Sequence, residues 1–183
     1  KIVRVFIGYS WAGDPDEDEH WKNFLKPVFN KYQDNFEERF SEYGIKLSVQ
    51  RLRGGHTGFV YCDILNKIKS ADILAFDIVE RKKEEPSKKN KKKKSAESNK
   101  NLFNPNVMME LGMAMALKKD VFLMMPGDAA EPKLPSDLNG IFYTKYSIDT
   151  GKFASDRIMD LKGFANRYVW LLNKAANNKI LNK

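Results

Sequence analysis

Apolar and polar positions alternate between two periods along the chain. Val3 to Gly8 is a short, nearly continuous apolar run rich in β-branched residues, the pattern of a strand covered on both faces. From about His20 to Tyr43, Trp21, Phe24, Leu25, Val28, Phe29, Tyr32, Phe36 and Phe40 recur at three- and four-residue spacings. This predicts a long helix with a broad core face, with Pro27 as a kink or a break into two helices. Gly44 ends it, and Ile45 to Gln50 alternates as a second strand. A helix over Tyr61–Ser70 and a strand over Asp72–Val79 follow.

The stretch 104–126 organises the chain. It predicts a helix entered through Asn104 and Pro105, running to about Leu117, then a strand from Val121 to Met125. Leu111, Met113, Ala114, Ala116 and Leu117 make this helix apolar nearly all round, which predicts a place inside the molecule. A long loop through Pro132, Pro135 and Gly140 leads to a fifth strand, Ile141–Ser147. The last helix, about Ser155–Ala176, should bury Ile158, Leu161, Phe164, Tyr168, Leu171 and Leu172. Strands alternating with helices imply an α/β single domain: a five-stranded parallel sheet with helices on both faces, flavodoxin-like in type.

Composition agrees with one core, because 183 residues at 42% hydrophobic and 12% aromatic content can bury one. No apolar run reaches membrane-spanning length and no signal segment opens the chain, so a soluble, cytoplasmic protein with no membrane partner is expected. The single cysteine, Cys62, fits a reducing compartment and is expected to be packed in its helix. Because the chain opens on Lys1 with a strand under way by Val3, a domain cut from a longer protein, or a trimmed chain, is expected, which leaves room for a controlling sensor domain outside it.

A net charge of +8 would suggest nucleic acid, but its distribution argues against that partner. Ten of the 32 Lys and Arg, and three of the 24 Asp and Glu, fall within 81–101, so the other residues carry 22 basic and 21 acidic side chains. That Lys-rich insertion has no apolar periodicity and no aromatic residue on which a base could stack, so it reads as a solvated loop.

Glu110 is the foremost candidate for chemistry. A carboxylate in the first turns of an apolar helix is costly to bury; burial raises its pKa, and the positive end of the helix dipole opposes the rise. It either caps its helix or pairs with a Lys, or it serves a ligand gathered at strand carboxyl ends. Asp77, near the end of the third strand, either anchors a loop or reaches into the same cleft. Arg51, Arg53 and His56, around three glycines lacking a P-loop signature, could meet a phosphate, a neighbouring subunit or water. His20 reads as a surface residue. The acids Asp14 to Glu19 lack the spacing of a calcium loop and read as a solvated helix entry, so no metal site is expected.

The order of these elements, with Gly8-Tyr9-Ser10 closing the first strand, Arg-Leu-Arg-Gly-Gly at 51–55 and Glu110-Leu111 in the helix after the third strand, resembles a bacterial Toll/interleukin-receptor (TIR) domain. Asn104-Pro-Asn-Val-Met-Met-Glu-Leu-Gly-Met-Ala is also similar to the nucleoside 2-deoxyribosyltransferase-like superfamily. Both resemblances imply that Glu110 acts on a sugar, either on the ribose of NAD+ or as a nucleophile on a deoxyribose. The chain departs from TIR domains in having Val107-Met108-Met109 where Trp-Cys usually precedes the Glu, and in its Lys-rich insertion. It departs from the transferases in having Asn104 and Asn106 where some carry acids.

Nicotinamide leaves NAD+ as a neutral molecule and needs no general acid, whereas a nucleobase usually does. One well-placed Glu without an acid partner therefore favours NAD+. The resemblance then implies a NAD+ glycohydrolase with NAD+ as substrate and no cofactor, acting as an antiphage immune effector activated by self-association. Glu110 would be catalytic. Gly8, Tyr9, Ser10 and Trp11 would line the pocket, and Asn104 and Asn106 would hold ribose hydroxyls with Asp77 orienting one of them. A nucleoside or nucleotide N-glycosidase or deoxyribosyltransferase, and a non-catalytic signalling scaffold, are the alternatives.

Overall fold

A parallel sheet needs a crossover between neighbouring strands, and the apolar runs are spaced to allow one. The computed structural model describes residues 1–9, 20–53, 60–78, 103–126, 143–146 and 161–181. Five strands, β1 (Ile2–Tyr9), β2 (Lys46–Arg51), β3 (Ile73–Asp77), β4 (Val121–Pro126) and β5 (Tyr143–Tyr146), form one sheet in the order β2-β1-β3-β4-β5, every neighbouring pair parallel. The expected α/β architecture is thus present, with helices on both faces. The Lys-rich insertion and the acids 14–19 lie outside the described residues, as do Ile158 and the glycines of the 54–58 loop.

The two faces are separate cores. Odd-numbered residues of the central strands (Val3, Val5, Ile7, Ile73, Ala75) pack with Phe24, Leu25, Phe29, Phe164 and Tyr168 from the first and last helical segments. Even-numbered residues (Phe6, Leu74, Phe76) pack with Ile64, Ile68, Val107 and Leu111 from α3 (Val60–Ser70) and α4 (Pro105–Ala116). Because strand side chains alternate, one register fixes both cores.

The long first helix breaks after Asn30 rather than at Pro27. A π turn, Trp21–Leu25, runs directly into α1 (Lys26–Asn30), whose first turn holds Pro27, with the backbone helical at Leu25 and Lys26. Two turn residues lead to α2 (Gln33–Arg39), and a short 3-10 turn ends at Gly44 with φ +59°, a left-handed position suited to glycine. The last helix, α5 (Leu161–Leu181), buries Phe164, Tyr168, Leu171 and Leu172 as expected. No helix among the described residues is long and apolar enough to cross a membrane.

Three expectations need correction. α4 is not interior: it buries one stripe, Val107, Glu110, Leu111 and Ala114, while Gly112, Met115 and Leu117 are exposed. A helix covering one side of a sheet keeps its other side outward, whatever its composition. Cys62 is exposed, because Ile64 and Ile68 define the buried stripe of α3 and position 62 is turned away from it. His20 is half-buried rather than on the surface, as described next.

Candidate active site

The chain crosses from β1 to β2 on one side and returns to β3 on the other, so the strand order reverses between β1 and β3. In open α/β sheets this switch point, at the strand carboxyl ends, is where ligands bind. Gly8 and Tyr9 end β1 there, paired with Phe76 and Asp77 at the end of β3. α4 starts from the same edge. Asn104, in an extended conformation, caps it: its Oδ1 accepts from the backbone N–H groups of Asn106 (3.0 Å) and Val107 (3.2 Å), and Pro105 occupies the first turn.

The cap and the helical period bring Glu110 down onto Gly8. A Cβ built on Gly8 would lie 2.6 Å from Phe76 Cδ1 and 2.9 Å from Glu110 Oε2. Glycine is therefore required sterically, because any side chain would occupy the space of the carboxylate and of a fully buried ring. Glu110 is 7% exposed, and among the described residues no hydrogen bond or ion pair engages it. Burial alone pushes its pKa from 4.5 up to about 7. Neither the self-cap nor the Lys partner considered from sequence is present among these residues: Asn104 takes the capping role, and Glu110 stands at the switch point as an acid half-ionised near neutral pH.

Asp77 has a different fate. Alternation places it with Ile73 and Ala75 on the opposite face from Phe76 and Glu110. There Tyr146 Oη donates to Asp77 Oδ2 at 2.6 Å, and His20 Nε2 lies 3.2 Å from the same oxygen. His20 is in turn packed between the Tyr9 ring, edge-on at 5.8 Å, and Phe24, stacked at 5.2 Å. Asp77 thus ties the end of β3 to Tyr146 of β5 and to His20 at the head of the first helical segment, and this placement lends no support to its orienting an asparagine toward a sugar. The Tyr9 ring, at the end of β1, is buried against Trp21, at 6.1 Å and nearly parallel.

Asn104 spends its side-chain oxygen on the helix. Asn106 is exposed one turn before Glu110, on the same side of α4 at the helix mouth. Ser10 and Trp11 lie outside the described residues. Sequence reasoning missed Tyr146 and His20 as partners of Asp77; nothing local in the sequence marks a contact 69 residues away. Among the described residues no group of His, Cys, Asp and Glu could hold a metal ion. A groove of about 220 Å³ between α2 and α5, lined by Tyr32, Phe36, Arg39 and Leu172, carries none of the candidate residues.

The family model for the TIR domain of the CAP12/Pycsar effector protein matches residues 4–148, most of the chain and all of the candidate residues. The chain belongs to this TIR-domain family. No curated protein matches it. The match covers β1 from Arg4 onward, the other four strands and α4, so the buried Glu110 beside Gly8 sits within the TIR domain of an effector family.

Proposed function

We propose that this TIR domain is a NAD+ glycohydrolase in which Glu110 acts at the ribose carbon bearing nicotinamide. The observation that carries the reading is the Glu110 carboxylate itself: buried, engaged by no described residue, and set against the Gly8 backbone at the switch point. Cleavage of the bond between the anomeric carbon and nitrogen passes through an oxocarbenium-like state. The bonding pair leaves with nicotinamide, which becomes neutral. The ionised carboxylate faces the developing positive charge in a site of low polarity, where such stabilisation is strongest. Water then adds to the anomeric carbon and releases a proton, giving ADP-ribose; capture by a hydroxyl of the substrate gives a cyclised product.

On this reading Asn106 meets a ribose hydroxyl, Ser10 and Trp11 line the pocket further, and the chemistry asks for no cofactor. Family membership supports an antiphage effector role in the cytoplasm, switched on by self-association under the control of a further domain.

The test is nicotinamide release from NAD+ by wild type and Glu110→Gln over a wide range of protein concentration, with and without a crowding agent. Release that rises steeply with concentration and is lost in the variant is expected; release that survives in Glu110→Gln refutes the site. Cleavage of deoxynucleosides or their monophosphates in place of NAD+ would move the domain to N-glycosidase or deoxyribosyltransferase chemistry. Assembly and output unaffected by Glu110→Gln would make it a scaffold.

A further inference from the structure

At the carboxyl end of β2 the chain brings Arg51, Arg53 and Lys67 close enough to act on one another's charge. Leu52 donates its backbone N–H to Ile7 O at 2.8 Å, so the segment 52–53 runs beside the end of β1, one strand spacing of about 4.8 Å away. Leu52 packs into the same core as Phe6, Phe76, Ile64 and Val107, which places this segment beside the Glu110 face of the sheet. From α3, Lys67 reaches back and donates to the Arg53 carbonyl at 2.6 Å.

Two features of this corner are unexplained by folding. Arg53 Nη1 is shielded from solvent and has no hydrogen-bond partner among the described residues, a costly state for a guanidinium nitrogen. The Lys67 ammonium has its pKa lowered by burial first and by the Arg53 guanidinium second; Asp63 opposes the shift and Arg51 adds to it. Positive charge is therefore held together at some expense, beside the candidate site. Arg51 is placed differently, over the Trp21 ring at 5.7 Å on the other face.

We propose that Arg53 and Lys67 form the subsite for the phosphate groups of the nucleotide whose sugar Glu110 addresses. Guanidinium and ammonium groups are the side chains that bind phosphate, one as a planar fork and the other as a point charge. A phosphate oxygen on Arg53 Nη1 would satisfy the buried donor and relieve the repulsion between Arg53 and Lys67. That the anion belongs to a nucleotide rests on the glycohydrolase reading; that an anion binds at all rests on this corner alone.

The experiment separates the two. Binding of inorganic pyrophosphate to the intact chain is measured by calorimetry at low salt, for wild type, Arg53→Gln, Lys67→Gln and the charge-conserving Lys67→Arg. Each glutamine variant should lose about tenfold to a hundredfold in affinity, the range of one charged hydrogen bond, whereas Lys67→Arg should stay close to wild type. Cleavage kinetics then compare NAD+ with nicotinamide riboside, which has the same scissile bond and no phosphate. Arg53→Gln should raise KM for NAD+ by about tenfold or more, with kcat and the riboside reaction little changed. No pyrophosphate binding by wild type, equal binding by wild type and Arg53→Gln, or equal losses on NAD+ and the riboside would each overturn the subsite. Pyrophosphate binding as expected with no nicotinamide release sustains the subsite and sinks the glycohydrolase instead.

Discussion

Replacing Glu110 by Gln should make the domain's stability less dependent on pH, because the native state holds the Glu110 proton far more tightly than an unfolded chain does. With the folded pKa raised from 4.5 to about 7, the carboxyl is neutral in both states below pH 4.5, and its full contribution to stability is present there. As pH rises from 4.5 through 7 the unfolded state ionises first, so that contribution is progressively lost. At about 1.4 kcal/mol per pKa unit, the loss reaches about 2 kcal/mol by pH 6 and levels off at roughly 3 kcal/mol above pH 7.5. Gln keeps the shape and cannot ionise.

Urea unfolding of both proteins at pH 5, 6, 7 and 8 isolates the effect, since His20, Asp77 and every other titrating group are common to both and cancel. Wild type should lose roughly 2.5 kcal/mol more than Glu110→Gln between pH 5 and pH 8. Parallel stability curves would mean that the carboxylate is solvated or paired in solution, and Glu110 would not be the buried, unpaired acid on which the site depends.

The same ionisation should shape catalysis: kcat/KM for NAD+ should rise with pH and reach half its plateau near pH 7, and a flat profile from pH 5.5 to 8.5 would remove the ionised Glu110 from the mechanism. Gly8→Ala would drive a methyl into Phe76 and the Glu110 carboxylate, so a loss of about 1–3 kcal/mol in urea unfolding is expected, together with loss of activity; a neutral result would mean that the two strands part easily there. Tyr146→Phe removes a donor from the buried Asp77 and should lower stability by about 1–3 kcal/mol while nicotinamide release by the folded fraction is retained. Asn104→Ala should lower stability by about 0.5–2 kcal/mol through the lost helix cap, and Asn104→Asp, which caps equally well, should restore it.

The sheet was legible because its strands carry their burial in their composition. Val3–Gly8, apolar but for Arg4, and Val121–Met125 lie in the middle of the sheet, while the alternating Ile45–Gln50 is an edge strand with Leu47 buried and Lys46 exposed. Glu110 was legible for a related reason, as a charge among apolar residues in the second turn of a capped helix. What the sequence could not carry was the relation between strands. Whether Asp77 shares a face with Glu110 depends on the pairing of Gly8 with Phe76 and of Tyr9 with Asp77, and no residue encodes that register locally. Asn104 was legible as the entry to its helix, because Asn-Pro at a helix start is a capping signal, and its Oδ1 accepts from the N–H groups of Asn106 and Val107.

Asp77 and Glu110 together argue what the carboxyl edge is for. Both are buried acids at the same switch point, on opposite faces of one sheet. Asp77 receives a tyrosine hydroxyl at 2.6 Å and a histidine nitrogen at 3.2 Å, the arrangement by which a fold retains a buried carboxylate. Glu110 receives none of this from the described residues, and its ionisation at neutral pH opposes folding by roughly 3 kcal/mol. Since the described residues furnish partners for one acid and none for the other across the same sheet, the difference cannot be a general inability to satisfy buried charge. A Leu or Met at 110 would remove the penalty and continue the apolar stripe of Val107, Leu111 and Ala114. A penalty retained where the topology opens to a ligand marks a carboxylate kept for that ligand, and under the proposed glycohydrolase reading the ligand brings a sugar carbon that becomes cationic.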